Sequence, residues 1–283
     1  QDKIDVYQLQ TDKTHPGEYK VDDNWLKLEK RKIKLNIKGI PFPIFKTVYT
    51  SIYGPTVSTP QGEYFSMRLP ALMDAGALGQ WYAMNRAKNF TEFKAALQQN
   101  HLAMFNIMYA DKEDNIFYVS NGKMPYRNPD PKFNWNATLP GNTRATLWDK
   151  FKPFNELPQH LNPKSGYLFN TNHSPFLATA ENENLNPANF DKNDGYETYH
   201  NNRSRRAKDL IDSYSKISFE DLKKINFFLS FQSFRSTNNL QDFISNGRLT
   251  RFVISQFQLI SQFGCVVCCF VHCSHTRSVF RSK

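Results

Sequence analysis

Cysteine is missing from the chain until position 265, and the four present, Cys265, Cys268, Cys269 and Cys273, crowd its last twenty residues. The body therefore holds no disulfide framework, and no redox compartment is legible from it. The Cys265-x-x-Cys268 pair suits zinc in principle, but the spacing of the second pair does not suit a finger. No run of 18 apolar residues exists, so no membrane-spanning helix is expected. The start, Gln1-Asp2-Lys3-Ile4-Asp5, has neither an initiator Met nor a basic stretch. No signal peptide is visible there, and the true N-terminus is expected upstream. Gly-x-Ser-x-Gly is absent, and none of the seven His falls in a His-Glu-x-x-His pattern, which removes the serine-esterase elbow and the helical zinc-protease motif.

The 283 residues are 40% apolar, 14% aromatic and 22% charged, the composition of a globular chain with one large or two ordinary domains. The net charge is +10. Residues 228–283 contribute six Lys and Arg against one Asp, which leaves 30 basic against 25 acidic residues over 1–227. Those signs are interspersed, and no basic stripe alternates with aromatics, so nucleic acid is not expected as a partner. Residues 228–283 also lack Ala, Pro, Glu, Met, Trp and Tyr while holding nine Phe and nine Ser. The break separates a body, 1–227, from a tail, 228–283, that reads as unrelated or frameshifted.

Within the body, residues 5–57 read as an antiparallel meander. Val6–Leu9 is a strand, Tyr19–Val21 and Trp25–Leu28 flank the turn formers Asp22-Asp23-Asn24, and Lys32–Gly39 alternates with period two. One face of that last strand is expected to be wet and lysine-rich and the other packed. Phe45–Ile52 is a further β-rich run. Pro70–Arg86 has helical composition, and Asn89-Phe90-Thr91-Glu92 is an N-cap with a capping-box acid before Phe93, Ala96 and Leu97. Met104–Ala110 and Ile116–Val119 form a hairpin. Residues 121–164, rich in Pro, Asn and Gly, read as a long functional or lid-like loop.

Gly166–Pro175 reads as a short buried strand, Tyr167-Leu168-Phe169, ending in Asn170-Thr171-Asn172 and stopped by Pro175. A carboxamide at a strand end can aim its NH₂ into a cleft without carrying charge, which suits oxyanion stabilisation; asparagine also ends strands simply because it tolerates turns. A helix follows from about Arg203 to Tyr214, with Ala207, Leu210, Ile211 and Tyr214 on one face. Arg203, Arg205 and Arg206 crowd its first turn, where the macrodipole disfavours cations by about 0.3–1 kcal/mol each. Either they form a solvated face, or some other interaction holds at least one of them there. A last helix starts at Ser218 with Asp221 as its capping acid and includes Leu222 and Ile225. Four Asn-x-Ser/Thr sequons, at Asn89, Asn136, Asn172 and Asn202, are weak motifs in so Asn-rich a chain.

Six blocks in order carry a family resemblance. They are Thr50-Ser51-Ile52-Tyr53-Gly54-Pro55; Asn85-Arg86-Ala87-x-Asn89-Phe90-x-x-Phe93; and Asn106-Ile107-x-Tyr109-Ala110-Asp111 continuing through Asn115-Ile116-x-Tyr118 and Gly122-x-x-Pro125-x-Arg127. Leu139-Pro140-Gly141, Gly166-Tyr167-x-x-Asn170-x-Asn172-x-Ser174-Pro175 and Arg203-x-x-Arg206 complete the series. Over residues 1–227 the chain resembles the β-subunit of the penicillin acylase family, which includes acyl-homoserine-lactone acylases. Asn-Thr-Asn-His-Ser-Pro-Phe176 is most similar to the lactone-acylase branch.

The resemblance implies an α+β fold, part of the αββα sandwich of the N-terminal-nucleophile hydrolases. It implies an amidohydrolase cleaving linear amides, either acyl-homoserine lactones or penicillin-type N-acyl bonds, through a serine whose own α-amine is the base. An α-amine titrates near 7.7–8.0 and needs little shift for that work. Asn172 is then the oxyanion-hole side chain, and Arg203 holds the amine and the asparagine, its charge helping to keep the amine unprotonated. No cofactor is required for chemistry. A structural calcium is implied at Asp2, the Ile4 carbonyl and Asp5, with Pro131 a weaker candidate, since calcium takes oxygen ligands; two surface aspartates are the competing reading. Implied partners are an N-acyl amide substrate, the family α-subunit and β-subunit segments preceding Gln1, the nucleophilic serine among them. Export to the periplasm or medium is implied too. The alternative is a catalytically inactive truncated product, or a binding module on the same fold.

Overall fold

A computed structural model describes residues 4–70, 74–102, 104–218, 220, 221 and 224. Asp2, Leu222, Ile225 and residues 228–283 lie outside the described residues. The chain divides into two compact units. Unit 1 comprises Gln1–Ala75, Lys123–Lys152 and Asp191–Gly195; unit 2 comprises Gly76–Gly122, Pro153–Phe190 and Tyr196–Lys283.

Unit 1 is built on a six-stranded sheet. Its members in chain order are β1 (Asp5–Gln8), β4 (Glu29–Leu35), β5 (Ile44–Ser51), β6 (Gly54–Ser58), β7 (Tyr64–Arg68) and β10 (Leu139–Pro140), in spatial order β10-β1-β7-β6-β5-β4. β1 runs parallel to β10 and antiparallel to β7, with Tyr7 opposite both Leu139 and Ser66. The hairpin β2 (Glu18–Val21) and β3 (Asn24–Lys27) turns at Asp22, whose φ of 52° lies in the left-handed region that Asp tolerates. The predicted strands are present, with Tyr19 and Val21 buried, but not as one meander: β2 and β3 form a separate two-stranded sheet, and β1 pairs with β7 and β10.

The core of this unit is aromatic. Tyr7 stacks on Tyr53 at 4.5 Å between ring centroids. Both phenols are satisfied by carbonyls, Tyr7 Oη donating to Thr146 O at 3.0 Å and Tyr53 Oη to Thr143 O at 2.8 Å. Phe133, Trp135, Leu139 and Trp148 belong to the same buried cluster. Residues 121–164 are therefore no lid: their part in unit 1 supplies four of the ten buried members of that cluster, and their part in unit 2 supplies buried Phe154 and Leu157.

The alternating lysine segment is also corrected. β4 ends at Leu35 and is the sheet edge; Ile33 is half-buried and every other residue in the strand is exposed. Neither face packs: β5 pairs with β4 from Ile44 to Thr50 but with β6 only from Tyr49 to Ser51. Ile37, Phe42 and Phe45 are 47%, 66% and 63% exposed. Lys30, Arg31, Lys32 and Lys34 charge the open edge and oppose pairing with another strand.

Unit 2 holds α1 (Ala77–Arg86), α2 (Phe90–Leu97) and the sheet β11-β9-β8, comprising β8 (Met104–Ala110), β9 (Ile116–Gly122) and β11 (Gln159–Leu161). Asn89 caps α2 by accepting from Glu92 N at 2.9 Å, and Glu92 returns to accept from Lys88 N at 2.9 Å. Phe93, Ala96 and Leu97 are its buried face, as their spacing requires. The hairpin turn is closed by Asp111, which accepts from the amides of Glu113 and Asn115.

The Thr50–Pro55 block owes its residue types to close packing in unit 1. Arg68 Nη1 donates to Ile52 O, Tyr19 Oη accepts from Ile52 N, and Ser51 and Thr56 both meet buried Ser66 Oγ at 2.7 Å. Gly54 has φ of 135°, and a Cβ there would stand 2.3 Å from Met67 O. Gly54→Ala is expected to cost at least about 1–3 kcal/mol, the usual penalty for backbone strain alone, read as a lowered midpoint in thermal unfolding. An unchanged midpoint would show that β6 and β7 separate without penalty.

Candidate functional site

The segment Gly166–Thr179 in unit 2 presents Asn172. Tyr167 and Phe169 are buried with Leu168 half-exposed between them, so the apolar run is largely inside as expected. The strand is not: no ladder forms, and the segment's polar groups are met by its own return. Phe169 N donates to Ala178 O at 2.9 Å and Thr179 Oγ1 donates to Tyr167 O at 2.9 Å. A short 3₁₀ turn, Pro175–Leu177, reverses the chain, with Ser174 Oγ accepting from Phe176 N.

Asn172 stands at the tip with φ of 55°, a left-handed conformation in which Asn is several-fold enriched among non-glycine residues. Its amide donates to Asn170 Oδ1 at 2.6 Å, the self-bonding turn that asparagine pairs favour. Its carbonyl accepts from Asn201 Nδ2 at 3.0 Å. Asn201 is also the N-cap of α3 (Asn202–Asp212), accepting from Ser204 N at 2.9 Å. One side chain thus locks the helix start to the asparagine turn.

That lock brings the predicted pair together. Arg203 Nη1 donates to Asn172 Oδ1 at 3.4 Å. With its oxygen facing the guanidinium, the carboxamide turns Nδ2 the other way as a free donor edge, and both side chains are exposed. The contact also offsets the dipole penalty on a cation in the first turn. α3 is seated by Ala207, with half-buried Ile211, against Tyr167 and Phe169; Leu210 and Tyr214 are half-buried too.

Asn170, His173, His200 and Asn201 complete the arrangement. Asn170 and His173 fall in a family motif without a role being assigned to them; the N-cap preference could have flagged Asn201, and nothing in the chain marks His200. His173 is 5% exposed and lies between Phe169 and His200, with ring centroids 4.8 Å and 5.8 Å away. Burial holds its pKa below the ordinary imidazole value despite the Leu177 carbonyl, and the charges of His200 and Arg203 push the same way. Burial likewise lowers His200, aided by Arg205 and Lys208, and lowers His160.

Of the implied calcium residues, Ile4, Asp5 and Pro131 belong to unit 1. Asp5 is buried, and its carboxylate accepts from Arg127 Nη2 at 2.9 Å and 3.1 Å, from Arg127 Nε at 3.2 Å and from Trp148 Nε1 at 2.6 Å. Ile4 is 41% exposed and Pro131 is exposed. Among the described residues no group of three His, Cys, Asp or Glu could hold a metal. As arranged, Asp5 does not fit a calcium ion, because a guanidinium already neutralises it at contact distance.

The family model of penicillin amidase matches residues 1–234. The chain belongs to the penicillin amidase family. It is 30% identical to the penicillin G acylase of Escherichia coli over 179 residues, 62% of this chain and 20% of that protein. It is 26% identical to the acyl-homoserine lactone acylase PvdQ of Pseudomonas fluorescens strain Pf0-1 over 268 residues, 84% of this chain and 34% of the relative. The chain therefore spans about a fifth to a third of the length of these relatives. A thermostable penicillin G acylase from Alcaligenes faecalis superposes with a TM-score of 0.64 at 23% identity, over 86% of this chain and 42% of the other. The fold is that of the N-terminal-nucleophile hydrolases, mixed helix and sheet. Among the described residues no helix is long and apolar enough to cross a membrane.

Two outcomes follow for this penicillin amidase family member. Asp5→Ala strands Arg127 in the interior and is expected to destabilise by about 3–5 kcal/mol, whereas a calcium chelator leaves the melting temperature of the unaltered chain where it was; a marked fall on chelation would place calcium at Asp5 after all. Unit 2 keeps His160, His173 and His200 neutral more readily than an unfolded chain does, so the unfolded state takes up protons first as pH drops. Stability should hold above about pH 6.5 and decline below it until the folded-state values are passed. Denaturant midpoints measured from pH 8 to pH 5 would show this, and a flat profile would contradict it.

Proposed function

We propose that this chain supplies the oxyanion-stabilising part of a linear-amide hydrolase. Asn172 Nδ2 is the donor and Arg203 fixes it. The observation that carries the reading is the Arg203 Nη1–Asn172 Oδ1 contact at 3.4 Å. A carboxamide free to rotate presents oxygen as often as nitrogen, and the oxygen would repel a developing oxyanion. A guanidinium on the oxygen leaves only the donor edge for the reacting carbonyl. A fixed donor does not have to reorganise as charge appears, which is where such groups gain their effect.

In this reading the nucleophile is a serine at a β-subunit N-terminus outside residues 1–283. Its hydroxyl attacks the amide carbonyl, its α-amine takes the proton and passes it to the leaving amine, and water then releases the acyl group. Arg203 is the cation that disfavours protonation of that amine. The substrates are N-acyl amides of the acyl-homoserine-lactone or penicillin type, which is what the names of the relatives support. The partners are an α-subunit and the β-subunit segments that carry the serine. The β4–β5 ribbon, with Phe42 and Phe45 exposed, offers apolar surface for such a partner. Export to the periplasm or medium belongs to the same reading.

The test is hydrolysis of N-acyl-homoserine lactones and phenylacetyl amides. Residues 1–283 alone are expected to give no turnover. In the context of the surrounding reading frame, with the serine exposed, Asn172→Ala should lower kcat by about 10²- to 10³-fold with little change in KM. Undiminished kcat in that variant would overturn the role of Asn172, and turnover by residues 1–283 alone would overturn the placing of the nucleophile.

A further inference from the structure

We propose that His173 is a positioning residue for Asn172, holding the asparagine turn in its donor-presenting form while its imidazole is neutral and releasing it when the ring gains a second proton. The inference rests on the oxyanion reading of Asn172 for its functional meaning, but its geometry stands independently.

The ring's two nitrogens have opposite duties. Nδ1 accepts from Thr171 N at 3.1 Å, with Thr171 Oγ1 also at 3.3 Å. Nε2 lies 2.8 Å from Leu177 O, and a carbonyl can only accept, so the proton sits on Nε2. The neutral Nε2–H tautomer is the one form that serves both contacts. Thr171 is the residue directly before Asn172, and its amide donates to the ring nitrogen. The rest of the turn is held by Asn170 and Asn201 through the Asn172 backbone, so the imidazole fixes the approach to the left-handed residue while the other two fix the residue itself.

A proton added to Nδ1 turns that acceptor into a donor facing Thr171 N–H. The hydrogen bond is lost and two donors oppose each other in a site where His173 is 5% exposed. The charged and titratable groups facing the ring are His200, stacked at 5.8 Å, and Arg203, the residue that contacts the Asn172 oxygen. His200 and Arg203 both act against a positive charge on the ring, so the new charge meets repulsion from the α3 side of the site. Relief comes by moving the turn away from α3, which separates Asn172 from Arg203 and frees the carboxamide to rotate. These same surroundings lower the ring's pKa, so release occurs on the acid side of the ordinary imidazole range.

Nitrogen-detected NMR of the labelled full chain, titrated from pH 8 to pH 5, tests this. At pH 8 His173 should show an unprotonated Nδ1 and a protonated Nε2, and the Thr171 amide should be protected from exchange. As Nδ1 protonates, Thr171 should lose about tenfold in protection, the size expected for one net hydrogen bond, and the Asn172 side-chain NH₂ resonances should move with the same midpoint. His173→Asn keeps an acceptor near the Nδ1 position without titrating, and should retain Thr171 protection with no pH dependence. His173→Gln keeps a donor toward Leu177 but loses the acceptor, and should show low protection at every pH. A Thr171 amide whose exchange and shift ignore His173 protonation, or an unaltered pH profile in His173→Asn, would overturn the proposal. Neither outcome touches the role of Asn172 in hydrolysis, which the kcat of Asn172→Ala decides separately.

Discussion

Asp5 sits on the first strand of unit 1 with its carboxylate out of water, and an ionised carboxylate there needs a cation and further donors at contact distance. Arg127 and Trp148 provide them from 122 and 143 residues along the chain. The requirement organises the unit. The long segment after β9 must return to β1 to deliver Arg127, and on the way it buries Phe133, Trp135 and Trp148 and adds β10 in parallel beside Tyr7. Arg127 in turn reaches Asn193 O at 2.5 Å, and Lys152 pairs with buried Asp194 at 2.8 Å, so the short 191–195 segment is drawn into the same unit. A segment rich in Pro and Asn contributes to the interior because Arg127, Lys152 and several of its aromatic residues find their partners there.

Unit 2 meets the same demand by different means. Tyr167 and Phe169 go inside under α3 without a strand partner, so each exposed main-chain polar group needs a local answer. The answers are asparagine, threonine and histidine side chains and a 3₁₀ reversal at Ser174-Pro175. This is why the segment is so rich in residues that bond to their own backbone, and why Asn172 can adopt a left-handed conformation at little cost. The result is a rigid tip made of side chain to main chain bonds, on which one carboxamide has its oxygen occupied and its nitrogen open. Under the proposed function that tip has a chemical use; the bonding explains how it is held.

Much of the local structure was legible in the chain. The Asn89 to Glu92 cap, the Met104–Ala110 hairpin and the amphipathic face of α3 were readable because each depends on residues within one or two turns of one another. Gly54 was singled out only as part of a family block, and its reason, a carbonyl 2.3 Å from where a Cβ would stand, belongs to a strand further along. The Lys32–Gly39 reading failed because period two marks a strand with two different faces and says nothing about whether another layer covers either. The 167–169 strand failed for a related reason: an apolar run records burial, whereas a strand also needs a neighbour to bond.

By itself the amino-acid order determined the family, the helix caps, the hairpin turns and the candidates Asn172 and Arg203, since all of these are carried by short patterns of residue type. Only the tertiary structure decided that Asp5 answers to Arg127 and Trp148, that the long Pro- and Asn-rich segment adds to the core, and that Asn201 and Arg203 converge on Asn172 while His173 bonds its neighbour Thr171. Those outcomes rest on groups far apart in the chain meeting out of water, where each polar atom must find a particular partner, and no local pattern records which partner arrives.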